Sequence, residues 1–266
     1  MGETKPITGK YANADGYDAY MGGWSAKLAP LLLIFSAVRD GGTIVDLGCG
    51  TANLLVAAAG AFPDSKLIGV DPAAALLAKA RKRPELSRAT LLEGGVENIP
   101  LEDRSADYTL SLLVLQEFVD RPSALKEMRR ITRPGGIVAA CQWDFARMPV
   151  IDALVAAIDS VRPSAARSIT ANSPRAFADE DELQSCWKDA GLVDVETDRI
   201  VVERVFETFE HLWRPLLAGA TPSTLTLAAL SSPEQLEVRS QMEAILRYAG
   251  QPLKVTAEAM AVKGRS

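Results

Sequence analysis

Val45-Asp46-Leu47-Gly48-Cys49-Gly50-Thr51 is the stretch on which the reading of this chain turns. Its leading residues extend Thr43-Ile44 into a β-branched apolar run, the pattern of a buried strand, and the Ala/Leu-rich residues 52–61 after it read as a helix. Glycine at positions 48 and 50 gives a tight strand-to-helix turn. Outward from this unit the rhythm repeats. Strands are predicted at 66–70, 90–92, 108–113 and 137–141, and helices at 73–83, ended by Pro84, and at 124–131, closed by Pro134-Gly135-Gly136. Alternating strands and helices of this length demand crossover connections, so the fold class is α/β with a doubly wound, mostly parallel sheet.

The last third changes pattern. Residues 151–160 and 179–190 read as helices, while the Ser/Pro/Arg/Asn stretch 162–178 shows no period. Two β-rich runs, 200–206 and 253–262, flank a mostly helical insertion, 207–250. An antiparallel pair at one sheet edge is expected, with 145–190 and 207–250 forming a helical cap on a single domain whose core is 15–144.

Composition narrows the function classes. The chain has 266 residues, 48% hydrophobic and 24% charged, and its 29 basic against 34 acidic residues leave a net charge of −5, which argues against a nucleic-acid footprint. One histidine and three cysteines exclude multi-histidine and four-cysteine metal sites, so no metal is expected. Cys49, Cys141 and Cys186 are widely spaced and suit reduced thiols in the cytoplasm. The first residues are polar, and the longest apolar run, 28–38, is about half the roughly 20 residues of a membrane span. A small-molecule partner is the expectation, with monomer and homodimer both open.

The glycine turn has a chemical bias. Asp46 stands two residues before the first glycine, and Asp71 ends the next strand, where a carboxylate holds ribose hydroxyls. A pyrophosphate would be repelled by Asp46, and Asn53 stands where a dinucleotide fold wants a third small residue. A ligand with an ammonium and a sulfonium would be attracted, which points to S-adenosyl-L-methionine.

Together with Gly69-Val-Asp-Pro72, Val96-Glu-Asn-Ile-Pro-Leu101 and Arg133-Pro-Gly-Gly136, the turn resembles the successive motifs of class I S-adenosylmethionine-dependent methyltransferases, in the group with quinone-biosynthesis and small-molecule enzymes. The resemblance implies a seven-stranded sheet with one antiparallel strand. It also implies that Gly48, Cys49 and Gly50 lie under the methionine portion, with Asp46 near its ammonium. Asp71 would take the ribose diol, Pro72 or Ala73 the adenine face, and the Val96 N–H the adenine ring, with Ser111 and Leu112 beside the sulfur. Relatives commonly carry Asp before the Val96 position; here Gly95 stands there, and either Glu97 substitutes or the adenine relies on stacking and backbone contacts. They also carry Arg at the Gly23 and Ala26 positions.

Methyl transfer from a sulfonium needs alignment first and a base only if the acceptor must lose a proton. His211, the single imidazole, is the candidate base. Tyr17 and Tyr20 are placed to close over the cofactor or to pack on the first helix. Trp24, Gln116, Phe118, Trp143 and Trp213 are candidates for an apolar acceptor pocket. The cluster 79–83 reads as a solvated cationic face. Two functions are open on these residues: methyl transfer to a small apolar or aromatic acceptor, and non-catalytic binding of the same cofactor.

Overall fold

Seven strands form one sheet in the computed structural model, which describes residues 14–172 and 176–266. They are β1 (Thr43–Leu47), β2 (Lys66–Asp71), β3 (Thr90–Glu93), β4 (Ala106–Leu112), β5 (Thr132–Trp143), β6 (Val193–Phe206) and β7 (Leu253–Arg265). Their order is β3-β2-β1-β4-β5-β7-β6, with β7 antiparallel to β5 and β6 and the other pairs parallel. The chain winds outward in both directions from β1, so a crevice opens between the carboxyl ends of β1 and β4, where sheets of this kind bind ligands. The expected sheet class and edge pair are present, and β7 slots between β5 and β6.

Strand parity divides the core into two layers. Ile44, Leu67, Leu110, Ala139 and Cys141 face one layer, together with Trp24, Leu28 and Leu32 of the helix Gly23–Phe35 and with Leu54 and Leu55 of the helix Asn53–Ala61. Val45, Leu47, Ile68, Val70, Val138 and Ala140 face the other, against Leu125 and Met128 of the helix Arg121–Ile131 and Leu183 and Trp187 of the helix Glu180–Asp189. Every strand named here is buried on both faces, which is why their sequences run continuously apolar instead of alternating.

The structure departs from the sequence reading in three places. The stretch without period contains a helix, Pro163–Asn172, begun by proline at its first position and packed on the helix Pro149–Val161. Glu180–Asp189 covers the sheet instead of capping it: Asp179 caps its start, and Trp187 Nε1 donates to the Val138 carbonyl at 3.2 Å. Arg133-Pro-Gly-Gly136 belongs to the start of β5, with Gly135 at φ +78°. The insertion is helical as expected, with Phe209–Leu216, Pro222–Ala228 and Ser232–Ile245, the last packed on Pro149–Val161.

Candidate active site

The turn after β1 is closed by hydrogen bonds that reach across to β2. Gly48 and Cys49 both donate to the Val70 carbonyl, at 2.8 and 3.1 Å, and Gly50 donates to Asp71 Oδ2 at 2.8 Å. Gly48 and Gly50 have φ of +68° and +55°, in the left-handed region that favours glycine. A Cβ on Gly48 would fall 2.6 Å from Val114 Cγ1, so the loop after β4 presses directly on this turn. Ala52 also sits at φ +65°, a conformation that costs a residue with a Cβ roughly 1–2 kcal/mol.

Asp71 therefore does two jobs at once. Its Oδ1 accepts from the Ala73 N–H at 2.8 Å and its Oδ2 from Gly50, leaving one lone pair on each oxygen for a ligand. Burial raises its pKa and these two backbone bonds partly offset the rise. Asp46, one strand over, is 1% exposed, and its Oδ1 has no hydrogen-bond partner. Burial, then the Asp71 charge, pushes its pKa well up. A buried carboxyl group with an unused oxygen beside a second acid fits a cationic group in the crevice, and the glycine cradle leaves it room to approach. The residues present therefore fit S-adenosylmethionine. Cys49 packs against Gly69, where a Cβ would fall 2.9 Å from its sulfur, and burial with the two acids pushes its thiol pKa up, so it is no thiolate nucleophile.

The N-terminal segment roofs this turn. Thr51 Oγ1 donates to Asp18 at 2.9 Å, Lys79 pairs with Asp18 and Asp15, and Asn53 Nδ2 donates to Ser25 Oγ at 2.7 Å. Arg83 bonds the Thr51 carbonyl and Asn53 Oδ1. Asn53 is thus an anchor between the turn and the helix Gly23–Phe35. Lys79 and Arg83, read as part of a solvated face, are latches. Tyr20 is buried, and burial raises its pKa, so its hydroxyl stays protonated; the Tyr17 side chain lies outside the described residues.

The remaining candidates are sorted by strand parity and helix face. Trp24 and Trp143 meet edge to face at 6.3 Å, and Trp24 lines a mostly apolar cavity with Tyr20, Met21, Met148, Val150, Ile151, Thr256 and Ala257. Trp213 is buried in the same layer and stacks on Phe209. Phe118 lies in the opposite layer, away from these aromatics. Gln116 Nε2 donates to the Leu113 carbonyl, and its Oε1 is buried without a partner. Ser111 Oγ is used by the Leu47 carbonyl at 3.0 Å, so it braces β4 on β1, and Leu112 faces the first layer. His211 is exposed, on the outward side of a helix whose Phe209, Leu212 and Trp213 turn inward. Pro72 is exposed beside Asp71, and Val96 is half-buried. Glu97 folds back on Gly95, and its Oε2 lies 2.9 Å from where a Cβ at that position would begin.

Sequence reasoning passed over Met21, and over Met148, Val150 and Ala257, which come from two distant segments with no motif. It also passed over Arg204, whose guanidinium lies over Trp24. A signal existed: Arg204 shares strand parity with Ile200, Val202 and Phe206, a charge in an otherwise buried row. Among the described residues no group of three or more His, Cys, Asp or Glu can hold a metal, and no helix is long and apolar enough to cross a membrane.

Comparison with known proteins agrees with this geometry. The family model described as a methyltransferase domain matches residues 45–140. The chain is 38% identical over 110 residues to an uncharacterized 37.1 kDa protein in transposon TN4556 of Streptomyces fradiae, covering 40% of this chain and 32% of that protein. It is 30% identical over 178 residues to the demethylmenaquinone methyltransferase of Geobacillus stearothermophilus, covering 60% of this chain and 74% of the relative. Among solved structures, phosphoethanolamine N-methyltransferase 2 of Haemonchus contortus in complex with S-adenosyl-L-methionine superposes with a TM-score of 0.59 at 18% identity, covering 97% of this chain and 58% of that one, a likeness of fold alone. With the glycine turn, its paired acids and the sheet order, these matches establish that the chain belongs to the class I S-adenosylmethionine-dependent methyltransferases.

Proposed function

We propose that this protein transfers a methyl group from S-adenosylmethionine to a small, apolar or aromatic acceptor held between the N-terminal helix, the carboxyl end of β5 and the amino-terminal half of β7. The observation that carries the reading is the unpartnered, buried Asp46 Oδ1 beside the glycine turn. The cofactor supplies a methyl group already activated on a sulfonium. Asp46 holds the ammonium, Gly48 and Gly50 admit the methionine chain, and Asp71 takes the ribose diol with its free lone pairs. Pro72 and Ala73 flank the adenine, Val96 offers it a backbone N–H, and Glu97 supplies the carboxylate that Gly95 lacks.

Acceptor chemistry follows from what surrounds it. Tyr20, Met21, Trp24, Met148, Val150 and Ala257 exclude water and fix orientation, and proximity of a well-aligned pair supplies up to roughly 7–11 kcal/mol. None of these residues carries a carboxylate or imidazole, the Tyr20 hydroxyl is held protonated, and His211 is exposed. The acceptor atom therefore arrives as a competent nucleophile, and no side-chain base is assigned. The test is to incubate the protein with methyl-labelled cofactor and a bacterial extract, then fractionate. Label in the small-molecule fraction is expected; label confined to protein or nucleic acid would refute the acceptor class.

A further inference from the structure

Along the inward row of β6, Ile200, Val202 and Phe206 are buried, and Arg204 stands between the last two. Its guanidinium lies over two aromatic rings, with Cζ 5.3 Å from the Trp24 centroid and 4.6 Å from that of Phe206. It closes on the backbone of Gly23, where a Cβ would fall 2.7 Å from Cζ. Half-buried, it makes no hydrogen bond or ion pair among the described residues. Burial without a counter-charge holds its pKa below the ordinary guanidinium value. Arg199 on the same strand shows the contrast, since it pairs with Asp144, Glu180 and Glu258.

A second unused donor is nearby. Trp143 Nε1 is buried without an acceptor, and its ring meets Trp24 edge to face. The cavity beside Trp24 is lined without a carboxylate. Arg204 and Trp143 thus flank Trp24, which lines that cavity, and both carry donors without an acceptor among the described residues. β6 is four strand spacings from β1, roughly 19 Å at about 4.8 Å per spacing, and β2 lies one strand further. That spacing is the backbone's; the guanidinium itself reaches back to Gly23, whose neighbour Gly22 accepts from Asn53 Nδ2 at 3.3 Å.

We propose that Arg204 binds a carboxylate on the methyl acceptor, which makes the acceptor a small apolar or aromatic acid; this rests on the acceptor cleft proposed above. One planar guanidinium matches one planar, singly charged carboxylate through two parallel N–H···O contacts. A phosphate calls for further cations or backbone N–H groups, and none of the residues named here supplies them. The cofactor carries a carboxylate too, so the test separates the two sources.

Titrate protein saturated with S-adenosylhomocysteine with 2-naphthoate and with its neutral amide, using the wild type, Arg204→Gln and Arg204→Lys. Naphthoate is expected to bind at least tenfold more tightly than the amide, with the preference lost in Arg204→Gln and partly kept in Arg204→Lys. In parallel, S-adenosylhomocysteine and 5′-methylthioadenosine, which lacks the amino-acid part, are titrated into wild type and Arg204→Gln. Unchanged affinity for both is expected. Equal binding of naphthoate and amide overturns the assignment of Arg204 while leaving the apolar cleft standing. Binding of neither overturns the cleft reading and the inference together. A tenfold loss for S-adenosylhomocysteine alone overturns the acceptor assignment and gives Arg204 to the cofactor's carboxylate.

Discussion

Replacing Asp46 by asparagine removes a charge from a place where the free protein has no partner for it. Asp46 is 1% exposed, its Oδ1 is unpartnered, and its ionised form is disfavoured first by burial and then by Asp71. An unsatisfied buried polar group costs about 1–3 kcal/mol, and more when charged. Asp46→Asn leaves a neutral group in the same space, so the cofactor-free protein is expected to gain roughly 1–2 kcal/mol at neutral pH. At about 2–4 °C per kcal/mol for chains approaching this length, the melting temperature rises by several degrees. The gain has a pH signature. Because the folded pKa of Asp46 is raised, its stabilising contribution is complete at acid pH and is lost as pH climbs through the raised value. Asp46→Asn lacks that loss, so the difference between variant and wild type grows with pH above the ordinary carboxylate range. Cofactor binding moves oppositely: losing a charge-assisted contact of roughly 1.5–3 kcal/mol weakens affinity about ten- to 150-fold. Scanning fluorimetry across pH without cofactor, paired with calorimetric titration of S-adenosylmethionine, reads both effects. A lower melting temperature with unchanged affinity would show that Asp46 is a structural brace and would refute the reasoning.

Three further outcomes follow from the same geometry. Ala52→Gly relieves a left-handed alanine at φ +65° and should stabilise the protein by about 1 kcal/mol, read as a higher denaturation midpoint; no gain would mean that the turn relaxes around Ala52. Gly48→Ala drives a Cβ to within 2.6 Å of Val114 and strains a φ of +68°, so a loss of roughly 1–3 kcal/mol and of cofactor affinity is expected; a wild-type melting curve would contradict the close approach. Glu97→Gln should weaken S-adenosylhomocysteine several-fold while leaving S-inosylhomocysteine, whose ring has no amino group, unaffected. Equal losses for the two would remove Glu97 from the adenine contact.

The turn and its acids were legible because their information is local. Asp46, Gly48, Gly50 and Asp71 occupy fixed places at the ends of two consecutive strands, and any parallel pairing of those strands brings them together. The helix Pro163–Asn172 was not legible, since its sequence mixes Ser, Thr and Asn with a few small apolar residues and it gains its stability from the helix Pro149–Val161 on which it packs. Chemical type alone groups Phe118 with the tryptophans, but its position beyond β4 carries it to the opposite layer. The sequence pattern assigns all of 145–190 to the cap, whereas Trp187 draws Glu180–Asp189 onto the sheet.

What the amino-acid order settled unaided was the cofactor half: alternating strands and helices, and a glycine turn with an acid at the end of each of two consecutive strands, those acids and glycines within about thirty residues of one another along the chain. What waited for the tertiary structure was the acceptor half. Tyr20, Trp24, Met148, Arg204 and Ala257 meet there only because β7 inserts antiparallel between β5 and β6 and the N-terminal helix folds back across the sheet. The physical reason is register: a one-residue shift of β6 would turn Arg204 outward and Val205 in, and long-range strand pairing, with no local signature in the chain, sets that register.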